Sequence, residues 1–521
     1  MEKWMDFGFA LDIRALQQTD KTALITGDRS ITYGELNEQA SCLAACLRRR
    51  GVRKGQRVLL FMPNCIEYVV AFFASAKLGL DIAPANAQYS VEELRQVISV
   101  IGPALAFTSS AEKTQLLKKA DADFPVFCLA QENTSLQREI LSQERPLDLV
   151  YDPGKAHIFV STSGSTGRIK FVSNTYQNES INAQLYIDRL GVTEGDVIAS
   201  ALPLAQKYGM AAMLGGILAG CTVVMPERFR AENMFRLIEK YRVTVQYGVP
   251  TMFIREMNTY RKSGETLGWV PDISSLRTGV IAGSSGSSEV FSWFEQEIGC
   301  RLLNCYGTSE VGGLTMACYE DPVQVRYGTC GRPFRGAEID IVDNSGIAVP
   351  AGQEGEILCR VPWVMQEYYG EPELTAAVFD QCGRYRTGDI GHFDGNGNLV
   401  ISGRKKDLII RGGYNVFPAE VEQALLDLPE IGEACVVGEP DPLLGERICA
   451  FIRMQEGIKI EDITEKSDGQ ESRAPDRVLR ERLGSRIAKY KLPDRFIVVE
   501  GFPRLPNGKY DYPALRRMLA N

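Results

Sequence analysis

The sequence predicts an α/β protein: a large N-terminal domain of α/β subdomains plus a β-rich subdomain, residues 1–402, then a small mobile C-terminal α+β domain, residues 403–521. Three observations predict it. Short apolar runs alternate with helical-period segments over the first 330 residues, the texture of sheet strands joined by crossover helices. Beyond that point the runs shorten and turn residues separate them, which reads as hairpins. A charged cluster at Arg404-Lys405-Lys406-Asp407 then opens a fresh alternation. A chain of 521 residues has room for about three or four units of roughly 150 residues each.

In chain order, Ile31-Thr32-Tyr33-Gly34-Glu35-Leu36 leads from a strand-like run into a helix on which Leu36, Ala40, Leu43 and Leu47 recur at helical spacing until Gly51 stops it. The apolar run 57–62, bounded by Pro63-Asn64, reads as a strand, and 67–78 as an apolar helix. Further strands are predicted at 104–107, 126–129, 197–202, 222–225, 244–247 and 278–282. The runs 339–342, 355–359 and 399–401, punctuated by Asp343-Asn344-Ser345-Gly346 and Asp394-Gly395-Asn396-Gly397, form the hairpins. The C-terminal domain is read as strand 408–410, helix 418–428 and strands 434–437 and 448–452. The polar stretch 465–472 reads as a mobile surface loop. No internal repeat is found.

Composition excludes several functions. Apolar residues make up 45% and charged residues 24%, ordinary globular usage. The net charge of -8 is interleaved in sign and gives no field for nucleic acid, so no nucleic-acid partner is expected. Thirteen cysteines form no Cys-x-x-Cys pair and read as reduced thiols. No basic leader and no apolar stretch of about 18 residues is seen, so a cytoplasmic protein without a membrane span is expected. With only His157 and His392, both read as structural, a histidine-rich metal site cannot be built. A serine or cysteine nucleophile would have to draw its base from those two.

The chemistry-bearing segment is Thr162-Ser163-Gly164-Ser165-Thr166-Gly167-Arg168-Ile169-Lys170, directly after the apolar strand residues Phe159-Val160. Glycines let backbone N–H groups approach an anion, hydroxyls add donors, and a cation offsets phosphate charge. Its spacing is not that of a Walker loop, and a flexible turn remains the alternative on these residues alone.

This segment resembles the phosphate-loop signature of the adenylate-forming superfamily, which includes acyl- and aryl-CoA ligases, peptide-synthetase adenylation domains and luciferases. Further matches follow in order: Tyr306-Gly307-Thr308-Ser309-Glu310, Tyr385-Arg386-Thr387-Gly388-Asp389, the run 403–413, and Pro506-Asn507-Gly508-Lys509. The run 411–422 is similar to bacterial acyl-CoA ligases. The resemblance implies an ATP-dependent enzyme that converts a carboxylic acid to its acyl-adenylate and passes the acyl group to a pantetheine thiol. Coenzyme A is the favoured acceptor, and the phosphopantetheine of a carrier protein is the alternative.

It also implies roles, residue by residue. Lys509 contacts the acyl carboxylate and phosphate during adenylation. Thr162, Ser163, Gly164, Ser165, Thr166, Gly167 and Lys170 hold phosphate. Tyr306 stacks adenine against the thin wall containing Gly283 and Ser284, with Gly307, Thr308 and Ser309 beside it. Glu310 helps hold Mg²⁺. Asp389 accepts the ribose hydroxyls, with Arg404 as its neighbour. Lys406 is the hinge, and Gly412 and Gly413 line the thiol tunnel.

Two departures matter. Many relatives carry an aromatic residue or His where this chain has Gln206, which cannot titrate. Lys207 stands where amino-acid-activating relatives place an Asp, so a cation there would repel an amino acid. If it points inward it is expected to pair with a second electronegative group on the substrate; if outward, only its stem packs. The same alignment puts Ala211, Tyr247, Val280, Ala282, Cys305, Gly313 and Leu314 around the acyl group. Ser309 replaces the usual Thr and keeps its hydroxyl.

Overall fold

The computed structural model describes residues 6–129, 156–163, 169–283, 286–411, 414–442, 444–460, 475–484, 486–505 and 510–519. Contacts divide the chain into two compact units, one within Met1–Ile339 and Cys359–Tyr385, the other within Asp340–Leu358 and Arg386–Asn521. This grouping places most of the expected β-rich subdomain with the C-terminal residues.

The first unit is built on two large sheets. One runs in the order Arg332–Pro333, Gly312–Met316, Arg301–Thr308, Thr278–Ile281, Val245–Gly248, Val197–Ser200, Thr222–Val224, Thr22–Thr26, Arg29–Thr32. Its strands from Arg301–Thr308 to Thr22–Thr26 are parallel neighbours. The other runs Glu367–Tyr368, Ile169–Thr175, His157–Ser163, Asp81–Pro84, Arg57–Phe61, Leu105–Thr108, Val126–Cys128. Parallel neighbours need crossovers, and the helices predicted between the runs supply them.

Local signals account for those helices. Tyr33–Arg49 starts at a capping box between Thr32 and Glu35, buries Leu36, Ala40, Leu43 and Leu47, and ends before Gly51 at φ 89°. Ile66–Lys77 buries every residue but Glu67, as an almost uniformly apolar helix should. Even Lys77 is 6% exposed, its ammonium drawn to Asp12 at 2.6 Å. In the core, Phe7 packs tilted against Phe72 and Tyr176 and edge-on to Phe73.

The second unit holds a four-stranded sheet, Glu338–Val342, Gly355–Arg360, Tyr385–Phe393 and Leu399–Arg404, which bears out the hairpin reading. Its other sheet follows the expected order of strand, helix and two strands, with Ile409–Arg411 and the helix Pro418–Leu426 where they were read, but the last two strands are longer. Ile431–Asp441 and Gly445–Met454 form one long antiparallel hairpin, far beyond the apolar runs 434–437 and 448–452. The extra length was hidden because its residues are charged and pair across the strands: Glu433 lies opposite Arg453 and binds it at 2.6 Å. The loop expected at 465–472 lies outside the described residues.

All thirteen cysteines are free, as read. His157 is tied to Asp81, whose carboxylate accepts its backbone N–H at 2.9 Å and sits 3.6 Å from Nδ1, holding the imidazole pKa above its ordinary value.

Candidate active site

The Gly/Ser loop joins two antiparallel strands, His157–Ser163 and Ile169–Thr175, with Ser163 opposite Ile169 and Thr162 opposite Lys170. Gly164, Ser165, Thr166, Gly167 and the side chain of Ser163 lie outside the described residues. A hairpin, unlike the strand-to-helix turn of a Walker loop, explains the different spacing. The strands hold Thr162 and Lys170 half-buried where the loop begins and ends.

A second segment straps this hairpin to the other sheet. Gln366 N–H donates to Ser173 and Tyr369 N–H to Phe171, each at 2.8 Å, so the strand Glu367–Tyr368 adds to the hairpin's edge. At the same place Met365 N–H donates to the Glu310 carbonyl at 2.7 Å, and the Tyr368 hydroxyl donates to Glu310 Oε1 at 2.7 Å. Tyr385 in turn donates to Tyr368. Burial first, then the Glu310 charge, raises the pKa of both phenols far above the ordinary value, so both remain donors. One strap therefore fixes the strand carrying Lys170 and the carboxylate of Glu310.

Tyr306, Gly307 and Thr308 close the strand Arg301–Thr308. At Gly307 an added Cβ would lie 2.0 Å from the Gly312 carbonyl, so only glycine permits the tight return to Gly312–Met316. Thr308 Oγ1 accepts the backbone N–H of Glu310 at 3.2 Å, fixing the turn that contains Ser309. Gly283 has φ 90° and is exposed just after Thr278–Ile281; Ser284 lies outside the described residues.

Gln206 is the N-cap of helix Lys207–Ala219, and its side chain makes no capping bond. The approach to this helix is clamped by Asn64, whose amide donates to Leu202 O and accepts from Leu204 N–H, both at 2.9 Å. Of the two alternatives read for Lys207, the outward one is corrected: the side chain is 5% exposed and points into the fold. Its ammonium lies 3.2 Å from Glu179 Oε1, a residue with no exposed side-chain surface, and donates to Asn174 Oδ1 at 3.0 Å. A buried cation needs a counter-charge, and the fold supplies Glu179. Burial still pushes the Glu179 carboxyl pKa up, with Lys207 opposing it.

In the second unit, Asp389 lies opposite Arg404 in the sheet, and Arg404 Nε sits 3.2 Å from Asp389 Oδ1. The predicted neighbours are brought together. Asp389 is 5% exposed, and its backbone N–H donates to Thr387 Oγ1 at 3.0 Å. Arg386 and Lys405 both reach Glu356 Oε2 at 3.1 Å, so the basic cluster is internally compensated. Lys406 is exposed in a short 3₁₀ turn, Lys405–Asp407. Lys509, Gly412 and Gly413 lie outside the described residues.

Sequence reasoning missed Tyr368, Glu179 and Glu356. Tyr368 sits in a two-residue strand too short to show periodicity, and the two glutamates meet partners far along the chain. No local signal marks any of them.

Among proteins of known function and structure, the chain matches the family model for AMP-binding enzymes over residues 11–369 and that for the AMP-binding enzyme C-terminal domain over 420–509. It is 30% identical to the medium-chain fatty-acid–CoA ligase of Escherichia coli (strain K12), covering 96% of this chain and 88% of that one. It is 30% identical to enterobactin synthase component E of the same organism, covering 99% and 95%. The solved o-succinylbenzoate CoA synthetase of Bacillus subtilis, in complex with its acyl-adenylate intermediate, superimposes with a TM-score of 0.82 at 26% identity over 98% of both chains.

Proposed function

We infer the reaction from one premise: the chain belongs to the AMP-binding enzyme family. It is an AMP-forming acid–thiol ligase of the acyl-CoA synthetase type. A carboxylate oxygen attacks the α-phosphorus of ATP, and pyrophosphate leaves. The thiol sulfur then attacks the acyl carbon of the adenylate, the thiol proton is released, and AMP departs. Coenzyme A is the proposed acceptor, supported by relatives named as CoA ligases; the kinship with enterobactin synthase component E keeps a carrier-protein thiol as the second reading.

The observation that carries this reading is the strap 365–369, which ties the Lys170 strand to Glu310. Two anions must meet, so cationic charge has to be fixed where the transition state forms. Lys170 and the loop it follows offset phosphate charge. Tyr306 stacks the base, and Asp389 accepts from the ribose. Gln206, its amide free of capping duty, faces the acid at a helix N-terminus, where the dipole favours a carboxylate. Lys509 is proposed for the first half-reaction and Lys406 as the hinge, both supported by their motifs.

Mg²⁺ fits the donors present. No group of three or more His, Cys, Asp or Glu among the described residues could hold a metal alone, so Glu310, whose Oε1 accepts from Tyr368, would help hold the ion only with ligands that the nucleotide brings. When bound, the ion supplies charge that draws electrons from phosphate oxygens. A cytoplasmic location is proposed; no helix among the described residues is long and apolar enough to cross a membrane. Acid-dependent ATP–pyrophosphate exchange, with mass detection of an acyl-CoA, tests the reading. Exchange that no acid stimulates would refute it.

A further inference from the structure

The carboxyl ends of parallel strands are where an open α/β sheet offers a ligand crevice. In this molecule Val197–Ser200, Val245–Gly248, Thr278–Ile281 and Arg301–Thr308 present such an edge, and the helices Tyr176–Leu190 and Lys207–Ala219 pack over one face of it. The small residues Ala211 and Ala282 share one cluster here with three tyrosines. Tyr186 and Tyr208 have ring centroids 6.1 Å apart, Tyr186 and Tyr247 6.0 Å, Tyr208 and Tyr247 5.8 Å. Rings at this spacing are in contact, so no channel for an alkyl chain passes between them.

Two of the three are pinned. The Tyr208 hydroxyl donates to Val280 O at 2.9 Å. Tyr186 accepts from Cys305 Sγ at 3.4 Å and packs edge-on to Phe334, 5.6 Å between centroids, over Gly313, where a Cβ would lie 2.9 Å from its hydroxyl. Tyr247 differs. It is 1% exposed, yet its hydroxyl has no hydrogen-bond partner among the described residues. Leaving a buried hydroxyl unpaired is unfavourable, and an acceptor atom on a ligand removes that penalty. The thiols of Cys221 and Cys305 lie near enough to act on it electrostatically, and a thiol sulfur is a weak acceptor.

Resting on the adenylation reading, we propose that this tyrosine triad closes the acyl pocket at short depth. The acid activated is short, a few carbons or a single ring, and carries a hydrogen-bond acceptor at the end remote from its carboxylate, which Tyr247 reads. The triad thereby excludes long-chain fatty acids.

The test is acid-dependent ATP–pyrophosphate exchange by the wild type, Tyr247→Phe and Tyr247→Ala with butanoate, 4-oxopentanoate, benzoate, octanoate and dodecanoate. The wild type is expected to favour the short acids over dodecanoate by about 100-fold or more in kcat/KM, and 4-oxopentanoate over butanoate. Tyr247→Phe, which keeps the ring and the packing, should lose about tenfold of the keto-acid preference while leaving the chain-length preference unchanged. Tyr247→Ala should shift the octanoate-to-butanoate ratio upward by about tenfold. Wild-type exchange with dodecanoate as fast as with butanoate overturns the depth assignment, as does an unshifted ratio in Tyr247→Ala. An unchanged keto-acid preference in Tyr247→Phe overturns the role of the hydroxyl. Exchange with none of the acids in any of the three proteins refutes adenylation itself, a failure distinct from both.

Discussion

A buried charge survives only where the fold answers it, and that is where single substitutions bite. Lys207 and Glu179 share a space from which water is excluded, so removing one charge strands the other. Lys207→Met is expected to cost about 3–5 kcal/mol in a denaturant titration, and adding Glu179→Gln should return a large part of it. A double variant as unstable as the single one would show that the pair is not the source of the loss. Glu256 is the opposite case. It has no exposed surface, and among the described residues its only side-chain bond is from Gln246 Nε2 to Oε1 at 2.7 Å, which leaves Glu256 Oε2 and Gln246 Oε1 unpaired there. Burial pushes its carboxyl pKa up to about 8. The folded chain keeps this proton while the unfolded chain, with an ordinary carboxyl near 4.5, has already lost it. Folding stability from this group therefore falls as pH rises from about 4.5 to 8 and is flat below that range. Glu256→Gln removes the penalty and gives Gln246 Oε1 a donor. The variant should be more stable by roughly 2–3 kcal/mol at pH 7, with the gap closing toward pH 4.5. A pH-independent gap would mean that Glu256 is ionised in the fold.

At the scale of the element, the strap 365–369 decides how well the site is held. Tyr368 makes a charge-assisted bond to Glu310, with Tyr385 behind it. Tyr368→Phe keeps the ring and the strand pairing but frees the carboxylate to rotate. The acid-dependent exchange rate should fall by about tenfold or more, with a stability loss of only about 1–2 kcal/mol. Tyr385→Phe should do the same more weakly. A lowered melting temperature with unchanged exchange would assign the bond to stability alone. Elements were legible in the sequence where their signals were local: the helical spacing of Leu36, Ala40, Leu43 and Leu47, the apolar helix Ile66–Lys77, and the Asp/Asn/Gly turns of the hairpins. They were illegible where partners are distant. Lys207 reads as a lone cation in an apolar helix because Glu179 lies on another helix. The hairpin Ile431–Asp441 to Gly445–Met454 was shortened because charge pairs across strands look, along the chain, like loop composition.

For the whole molecule, the question is how one chain performs two reactions with one set of groups. The first joins two anions and needs a cation at the α-phosphate; the second expels AMP from a mixed anhydride already formed and needs mainly an open path for the thiol. A cation used in only one step is best carried on a part of the chain that can leave, and the motif places Lys509 near the C-terminal end, beyond Lys406. Lys509→Ala is then expected to reduce acid-dependent ATP–pyrophosphate exchange by at least about 10²-fold, while thioester formation from a supplied acyl-adenylate keeps most of its rate. The two half-reactions have to be measured on one preparation, so that misfolding lowers both and is recognised. Lys406→Pro fixes φ near -65° at the hinge and should give another pattern: a chain locked in one arrangement keeps one half-reaction and loses the other. Equal loss of both steps in Lys509→Ala, with the melting curve unchanged, would place that lysine in a site common to both reactions and remove the reason for a moving domain.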